Sequence, residues 1–443
     1  MTLTALSPLD SRYAEKLAAL TPFFSELALQ KYRIKVELQY LEALAKEPKI
    51  PELKPFTAVE KKFCQDLIAN FGIKEGQRIK TLEKKIKHDV KAVEYFLAEK
   101  FHKTPLQQRR AFLHFALTSE DVNNLAYALM TRNALQQVLF LTLQTLQKTL
   151  QTCGKNWGKI PLLARTHGQP ATPTTLGHEF QVFAQRLARQ IQNLKKQEFL
   201  GKLNGATGNF AAHKLAYPQV NWPFFATKFI RQLKLTPNLI TTQIEPHDFL
   251  VELSNTLALI NTILLDLARD VWGYLARDLF ILRKVAGEVG SSTMPHKINP
   301  IDFENAEGNF GIANAFFQFF ARKLPVSRFQ RDLSDSTVLR NLGSAFGYTL
   351  LGYQSLQTGL QKLQPQRKVL AEELQANPAV LAEAIQIILR QQGDTQGYEK
   401  LKELTRGAAV TLQDLREFIQ NLNLTKSAKQ RLLALTPESY LGY

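Results

Sequence analysis

The sequence predicts an all-α protein of three helical domains, the central one a bundle of long helices. Five segments contain no proline and few glycines, and their apolar residues recur at helical spacing, over residues 119–152, 175–199, 249–282, 301–322 and 336–363. Shorter helical patterns lie on both sides of these segments. No internal repeat, low-complexity tract or strand-rich region is visible, so helical patterning extends over the whole chain.

The chain divides where the length of the helical patterns changes. Residues 1–113 hold short patterns interrupted by the loops KEPKIPELKPF and FGIKEGQR and form the predicted N-terminal domain. Residues 114–364 form the predicted central bundle. In residues 365–443, the stretches QPQRK, ANPAV and QQGDTQG separate short amphipathic helices and predict a C-terminal helical domain.

The long segments also predict self-association. Residues 249–282 would form a helix of about 50 Å at a rise of 1.5 Å per residue, and such a helix needs other long helices beside it. Residues 119–152 carry only Glu120, Asp121, Arg132 and Lys148 as charged residues. A helix with so little charge is covered by protein on most sides, which favours a homo-oligomer built on the bundled helices.

The charge balance points to an anionic partner. The 443-residue chain has a formal net charge of +17, and its densest basic cluster is EKKIKHDVK around Lys84. The charge is otherwise spread, and no zinc-finger or RNP-type signature accompanies it, so we expect a small anionic molecule, with nucleic acid as a minor alternative. The apolar segments are broken by charge before the roughly 18 residues that span a bilayer, and no secretory signal is visible. We therefore expect a cytoplasmic protein with no membrane partner.

No metal or cofactor is expected. Cys64 and Cys153 are far apart in the sequence and are interpreted as buried free thiols. No histidine pair shows His-x-x-x-His spacing with a nearby acid, and neither a P-loop nor a G-x-G-x-x-G motif is present.

One stretch, GEVGSSTMPHKINPIDFE from Gly287 to Glu304, is unusual in a helical chain. Glycines permit uncommon backbone angles, serines supply hydroxyls, and Lys297 supplies a positive charge. Asn299 as N-cap and Pro300 as first helical residue predict a helix start, with Glu304 in its second turn. A connector between two helices is the plain interpretation, but it does not explain the Met-Pro-His-Lys-x-Asn-Pro pattern.

The segment GSSTMPHKINP resembles the signature loop of the fumarase/aspartase superfamily. Other stretches are similar to the bacterial adenylosuccinate lyase family within it: SRY, HDVKAVEYFL, TSEDVNN, RTHGQPATPTTLG, TTQIEPHD, KLPVSRFQRDLSDSTVLRN and YEKLKELTRG. These stretches are distributed over essentially the whole chain. The resemblance implies a long-helix bundle flanked by two smaller helical domains, assembly as a homotetramer, and elimination of fumarate from adenylosuccinate and from the succinyl-carboxamide ribotide SAICAR, without a cofactor.

The resemblance also implies roles for individual residues. Ser291 matches the catalytic base, His167 the catalytic acid, His88 a second histidine that contacts substrate, and Glu304 the carboxylate that orients the acid. A positioned base, a positioned acid and nearby cations suit proton removal next to a carboxylate and departure of an amine. The further matching positions that would bind substrate are Arg12, Tyr13, Lys87, Asp89, Thr118, Ser119, Gln243, Ser292, Lys297, Asn299, Asn305, Arg331, Ser336 and Arg340.

The sequence departs from the family at one place, and two alternatives remain. Before His88 it has EKKIK, where the family carries neutral polar residues, so Lys87 could instead be a surface residue. Another lyase of the superfamily is the nearest alternative, and HDVKAVEYFL and SDSTVLRN argue against it. A scaffold without activity is disfavoured because Ser291, His167, Lys297 and Glu304 are all present.

Overall fold

The structure is a computed structural model that describes residues 3–284, 287, 293–294, 296–394, 396–405 and 410–442. Helices make up 64% of the chain, which confirms the predicted all-α class. The α-helices are Thr21–Phe24, Glu26–Leu44, Ala58–Ala69, Ile73–Ile86, Asp89–Phe101, Ser119–Ala134, Phe140–Asn156, Leu176–Lys195, Ala211–Ala216, Trp222–Gln232, Asp248–Ala276, Ile301–Lys323, Ser334–Leu339, Leu342–Lys362, Arg367–Gln375, Ala382–Gln391, Gly397–Thr405, Leu412–Asn421 and Lys426–Leu433. Short 3-10 helices are Ala18–Leu20, Gln107–Phe112 and Pro378–Leu381, and a π turn is Leu135–Leu139.

Three small two-stranded sheets accompany the helices in the described part of the chain. Pro161–Thr166 pairs antiparallel with Gln169–Thr175 and makes a hairpin, called here the His167 hairpin. Leu200–Gly201 pairs parallel with Thr236–Pro237, and Phe280–Leu282 pairs antiparallel with Leu363–Pro365. The hairpin carries His167, which the sequence resemblance matches to the catalytic acid.

The predicted long segments are mostly helical, with three main differences from the prediction. The 119–152 segment is two helices joined by the π turn Leu135–Leu139. The 249–282 segment is helical only to Ala276 and then turns into a strand. The 336–363 segment is broken near Arg340, between the helices Ser334–Leu339 and Leu342–Lys362.

The chain forms two compact units. The first comprises Met1–Gln144, Gln190–Thr262 and Gly308–Gln354. Its core includes the apolar faces of Glu26–Leu44 and Ser119–Ala134, which pack against each other. Both helices also carry buried polar side chains, among them Arg33 and Glu120, which are each 2% exposed.

The second unit comprises Thr145–Arg189, Ile263–Glu307 and Ser355–Tyr443. Trp157 packs against Phe180 and Phe280, with ring centroids 4.8 and 5.2 Å apart, beside the base of the His167 hairpin. The C-terminal helices share a core of buried leucines and isoleucines, Leu381, Ile385, Leu389, Leu401, Leu415, Ile419, Leu422 and Leu432. This cluster fits the expected change in helical pattern after residue 364.

Contrary to the expectation from the sequence that charge breaks every such segment, the helix Asp248–Ala276 is long and apolar enough to cross a membrane by length and composition. Half of its most apolar window is buried within the protein, as in the core helix of a folded bundle. The two cysteines, Cys64 and Cys153, are buried and free, as predicted. Burial raises the pKa of the Cys64 thiol to about 12 and that of the Cys153 thiol to about 11.

Candidate functional site

The predicted site residues lie in two groups, one in each compact unit. The first group, in the first unit, is Arg12, Tyr13, Lys87, His88, Asp89, Thr118, Ser119, Gln243, Arg331, Ser336 and Arg340. The second group, in the second unit, is His167, Lys297, Asn299, Glu304 and Asn305. Ser291 and Ser292 lie outside the described residues.

His88 begins the helix Asp89–Phe101 as its N-cap residue. Its Nδ1 accepts a hydrogen bond from the backbone N–H of Lys91 at 3.2 Å, and its side chain is 52% exposed. Because Nδ1 is the acceptor, the hydrogen of the neutral ring lies on Nε2. Nε2 is therefore the nitrogen that can donate to a ligand.

Lys87 ends the helix Ile73–Ile86 in the left-handed conformation, with φ 59° and ψ 31°. A helix commonly ends with one such residue, and glycine is usually found there because it has no Cβ. The left-handed backbone of Lys87 thus turns the chain between the two helices and places His88 at the start of the second.

Asp89 holds two arginines together. Its Oδ2 accepts hydrogen bonds from Nη2 of Arg33 at 2.7 Å and from Nη2 of Arg340 at 3.0 Å. Burial alone raises the pKa of Asp89, but the charge and hydrogen bond of Arg33, the Val90 N–H and the charge of Arg340 outweigh it and hold the pKa below its usual value. Asp89 is therefore a carboxylate at neutral pH and fixes Arg340.

Arg331 also lies between two carboxylates. Its Nη2 is 3.0 Å from Oε1 of Glu120 and 3.5 Å from Oδ1 of Asp335. Oδ2 of Asp335 is 3.7 Å from Nε2 of His247. A guanidinium has five N–H donors, and Nε of Arg331 is buried without a hydrogen-bond partner among the described residues. Donors thus remain for an anionic ligand.

A buried ion pair supports the loops that carry Thr118 and Gln243. Asp121 and Lys202 are both fully buried, with Nζ 3.0 Å from Oδ1. Oδ2 of Asp121 accepts from the Thr118 N–H at 2.9 Å, and Nζ of Lys202 donates to the Gln243 carbonyl at 2.6 Å. Since a buried ion is strongly destabilising without its partner, this pair ties the two loops together. Ser119 is the first residue of the helix that Thr118 caps.

The rest of the first group is more exposed. The Arg12 guanidinium lies 5.8 Å from the centre of the Tyr13 ring. The Ser336 N–H donates to Oδ1 of Asp335 at 2.6 Å. Arg340 lines a cavity of about 380 Å³ together with Ser25 and Ser344. The guanidinium and the hydroxyls are groups that suit a phosphate, although the carboxylate of Asp10 lines the same cavity.

His167 lies at the tip of its hairpin, whose strands the sequence analysis did not predict. Thr166 pairs with Gln169, so His167 and Gly168 form a two-residue turn, with φ 54° and 75°. Positive φ at both central positions is typical of the type I′ turn, whose twist matches that of the strands. The turn exposes the imidazole at the tip of the hairpin.

Lys297, Asn299 and Glu304 line one cavity of about 440 Å³ with Trp272 and His296. The helix begins at Ile301, one residue later than predicted, so Pro300 rather than Asn299 takes the N-cap position, and Glu304 lies in the first turn rather than the second. The backbone N–H groups of Phe303 and Glu304 both donate to the Pro300 carbonyl. Asn305 follows on the exposed side of the same helix.

The described hydrogen-bond partner of Glu304 is the indole of Trp272. Oε1 accepts from Nε1 of Trp272 at 3.1 Å. Within the part of the chain that the structure describes, Glu304 and His167 share no hydrogen bond, so their predicted contact stays a prediction. Both side chains are exposed.

Several residues around the site carry structural contacts that the sequence interpretation did not assign. They are Arg33, Glu120, Asp121, Lys202, His247 and Asp335. A signal was present in TSEDVNN, where two acids and two amides occur in an otherwise apolar helical pattern. Buried charges need partners, and such a helix predicts buried ion pairs.

Two family models match the chain. The model described as Lyase matches residues 11–313, and the model described as Adenylosuccinate lyase C-terminal matches residues 327–441. The chain is 50% identical over 446 residues to the adenylosuccinate lyase of Legionella pneumophila strain Corby, with 100% of this chain and 98% of the relative covered. It is 50% identical over 442 residues to that of Escherichia coli K12, with 100% and 97% covered. For the enzyme of Dictyostelium discoideum the identity is 47% over 454 residues, with 99% and 97% covered.

Solved structures share the fold at lower identity. A fumarate lyase from Mesorhizobium sp. BNC1 matches with a TM-score of 0.76 at 18% identity, over 97% of this chain and 95% of that one. The 3-carboxy-cis,cis-muconate lactonizing enzyme of Pseudomonas putida matches with a TM-score of 0.73 at 21% identity, over 96% and 94%. These likenesses support the fold.

Proposed function

Because this chain belongs to the adenylosuccinate lyase family of the fumarase/aspartase superfamily, we propose that its site residues eliminate fumarate from adenylosuccinate, which gives AMP, and from SAICAR, which gives the carboxamide ribotide AICAR. The protein is then a C–N lyase of purine nucleotide biosynthesis. The observation that carries the proposal is identity at half of all positions along the full length of relatives with this name.

The reaction needs an acid, a base and cations. A proton leaves the carbon beside a carboxylate, negative charge builds on that carboxylate, and the amine takes a proton as it departs. Ser291 removes the proton and His167 protonates the amine. A serine is a weak base at its free pKa, so neighbouring donors and the charge of Lys297 must stabilise its alkoxide.

The geometry of the second group suits these roles. The two-residue turn projects the His167 imidazole away from the protein surface, where it can enter a site formed with other chain segments. Lys297 and Asn299 line a common cavity with Glu304, so a cation and an amide are available to a succinyl carboxylate. Glu304 orients His167 in this proposal.

The first group suits the nucleotide end of the substrate. His88 presents Nε2 as a donor, and Arg340 and Arg331 supply guanidinium groups fixed by carboxylates. Fixing an arginine before the ligand arrives reduces the entropy lost on binding. The substrates carry a phosphate and two carboxylates, which a chain of net charge +17 attracts.

The assembly and location belong to the same proposal. The protein is a cytoplasmic homotetramer, and its chain is organised as an N-terminal helical domain of residues 1–113, a central bundle of residues 114–364 and a C-terminal domain of residues 365–443. It needs neither a metal nor an organic cofactor, and it binds neither nucleic acid nor membrane.

The direct test is the release of fumarate by the purified protein. Adenylosuccinate should be converted to equal amounts of AMP and fumarate, followed by the ultraviolet absorbance change and by a separate assay for fumarate. Argininosuccinate, aspartate and malate serve as matched controls and should give no fumarate. Release of fumarate from one of these, with none from adenylosuccinate, would show that the chain is a different lyase.

A further inference from the structure

The His167 hairpin has little to support its tip. Residues 165 to 170 are all exposed in the chain. A Cβ built on Gly168 would meet no atom within 4 Å, so no packing holds the turn from that side. His167 itself has a positive φ of 54°, a conformation that non-glycine residues adopt at a cost. Something outside the turn must therefore fix the direction in which the imidazole points.

Arg165 connects the turn to the C-terminal part of the second unit. Its Nη1 donates to the carbonyl of Gly168 at 3.0 Å, which closes the turn from within. Its Nη2 donates to Oε1 of Glu373 at 2.7 Å. One guanidinium thus links the backbone next to His167 with a carboxylate that lies 208 residues further along the chain.

Glu373 is held firmly on its own side. It lies on the helix Arg367–Gln375, where Leu370 and Leu374 are 1% and 0% exposed and anchor the helix in the core. The carbonyl of Glu373 accepts from Nδ2 of Asn377 at 2.8 Å. Its carboxylate is 16% exposed, and Oε2 is buried without a hydrogen-bond partner among the described residues.

Glu373 also balances charge. The same Oε1 accepts from Nη2 of Arg277, so two guanidinium groups meet at one carboxylate oxygen. Without the carboxylate, the two cations would repel each other at short range with only partial screening. Arg165 would then move away from Arg277. It would either displace the carbonyl of Gly168 or lose its hydrogen bond to that carbonyl.

We propose that Glu373 is a positioning residue for catalysis, which acts through Arg165 to fix the hairpin turn that carries His167. The inference rests on the proposed function, because it assumes that His167 is the acid. Glu373 does not need to touch substrate. It determines where the imidazole lies when the amine departs, and a misplacement of about 1 Å at that step lowers a rate by about a hundredfold.

The first test compares kcat and KM of Glu373→Ala and Arg165→Ala with wild type. We expect kcat to fall by about ten- to a hundredfold in each, with KM changed less than about threefold, because orientation of the acid matters most in the transition state. Glu372→Ala is the matched control, since Glu372 lies on the same helix with a side chain 60% exposed. It should keep wild-type kcat. A kcat of Glu373→Ala within about threefold of wild type would overturn the inference.

The second test asks whether the two residues act together and through His167. The double variant Glu373→Ala, Arg165→Ala should be no slower than the slower single variant, since each change breaks the same link. In a His167→Gln background, Glu373→Ala should cause no further loss of kcat. Multiplying losses, or an undiminished loss in the absence of the histidine, would assign Glu373 to general stability.

Two further measurements keep the result interpretable. If Glu373→Ala does not fold, Glu373→Gln is used instead, because it retains the size and one acceptor oxygen of the side chain but removes its charge. Glu373→Gln should lower kcat and keep a melting temperature near that of wild type. An unchanged kcat would contradict the inference. Failure of the proposed function has a different signature, since the wild type itself would then release no fumarate from adenylosuccinate.

Discussion

Arg331 and Arg340 are each fixed by two carboxylates before any substrate arrives. Arg331 lies between Glu120 and Asp335, and Arg340 lies between Glu26 and Asp89. Fixed guanidinium groups with spare donors suit a phosphate, which keeps its charge throughout the reaction. Contacts to such a group are the same in the ground state and the transition state.

Replacement of Arg331 or Arg340 by Ala should therefore act mainly on KM. We expect KM to rise by about ten- to a hundredfold, as for loss of a hydrogen bond to a charged group, with kcat little changed. Arg328→Ala is the control, since Arg328 is nearby with a side chain 81% exposed. Steady-state kinetics with both substrates measure the effect. A collapse of kcat with unaltered KM would mean that these arginines do not bind the phosphate.

The two arginines differ in their effect on stability. Arg331 has a side chain only 13% exposed, and its loss leaves Glu120 buried without a counter-charge and Asp335 with only His247 as a basic neighbour. Arg340 has a side chain 38% exposed, so its removal disturbs the fold less. The melting temperature of both variants separates substrate binding from loss of the fold, and Arg340→Ala is the cleaner test.

His213 predicts a pH dependence of stability. It is 1% exposed, its Nε2 is 3.3 Å from the Tyr40 hydroxyl, and burial, aided by Lys202 and opposed by Asp121, lowers its pKa from 6.5 to about 4. Between these two pKa values the unfolded chain binds a proton that the folded chain does not. The contribution of His213 to the stability of the folded chain is therefore complete above pH 6.5 and is lost as the pH falls toward 4.

His213→Gln should flatten this dependence. In the wild type the contribution of His213 to the free energy of unfolding should fall by up to about 3 kcal/mol from pH 7 to pH 4. His114, whose pKa is raised by Glu37, contributes in the opposite direction and is common to both proteins. Urea unfolding at several pH values gives the difference. Equal slopes for variant and wild type below pH 6.5 would contradict the prediction.

At the level of elements, the left-handed end of the helix Ile73–Ile86 predicts a stabilising change. Lys87→Gly removes the strain of a Cβ at φ 59°, and we expect the free energy of unfolding to rise by about 0.5–1 kcal/mol after the greater entropy of the unfolded chain is counted. Lys85→Gly, in the last full turn of the same helix, should instead destabilise by about 1 kcal/mol.

The same variant tests the predicted substrate contact of Lys87. A contact from its ammonium group would raise KM by about tenfold on removal, as for a hydrogen bond to a charged group. A lower melting temperature of Lys87→Gly than of wild type would contradict the conformational prediction. Thermal unfolding and kinetics on one preparation therefore answer both questions.

The helices were largely predictable from sequence, because their apolar residues repeat at 3.6-residue spacing over many turns. The strand Phe280–Leu282 was not, since three apolar residues at the end of a helical run fit both patterns. The His167 hairpin was not predicted either, although the sequence Thr-His-Gly-Gln contains a glycine at the second position of a possible two-residue turn.

The candidate site was predictable only as a set of residues. The motifs identify His88, His167 and Arg331, but they do not reveal that Asp89 joins Arg33 to Arg340 or that Lys202 joins Asp121 to Gln243. These partners are separated by tens to hundreds of positions. Only the tertiary structure brings them into contact, and no local pattern encodes the pairing.

At the level of the whole molecule, the charge-poor segment 119–152 is buried in its first half and has many exposed side chains in its second half. Most residues of Ser119–Ala134 are already buried within one chain. In Phe140–Asn156 the exposed side chains include Leu141, Gln144 and Thr152, and Leu141 is 55% exposed. Lys148 and Lys155 are exposed on the same helix, so this surface is polar, with two positive charges and one large apolar side chain. Its burial against another subunit stays a prediction.

We predict that one working site takes Ser291 and His167 from different subunits. Ser291→Ala and His167→Gln should each lower kcat by roughly 10²- to 10⁴-fold, the range for loss of a positioned base or acid. The two side chains would then be supplied by separate copies of the chain. Two inactive variants can restore a complete site when their subunits mix in one assembly.

The most direct measurement mixes the two inactive variants under conditions that let subunits exchange and follows fumarate release from adenylosuccinate. With random assortment, about one site in four receives both intact residues, so activity should recover toward a quarter of the wild-type value. Each variant incubated alone under the same conditions is the control, and labelled subunits verify exchange. Recovery supports a site shared between subunits; no recovery despite verified exchange would mean that both residues come from one chain and would contradict this architecture.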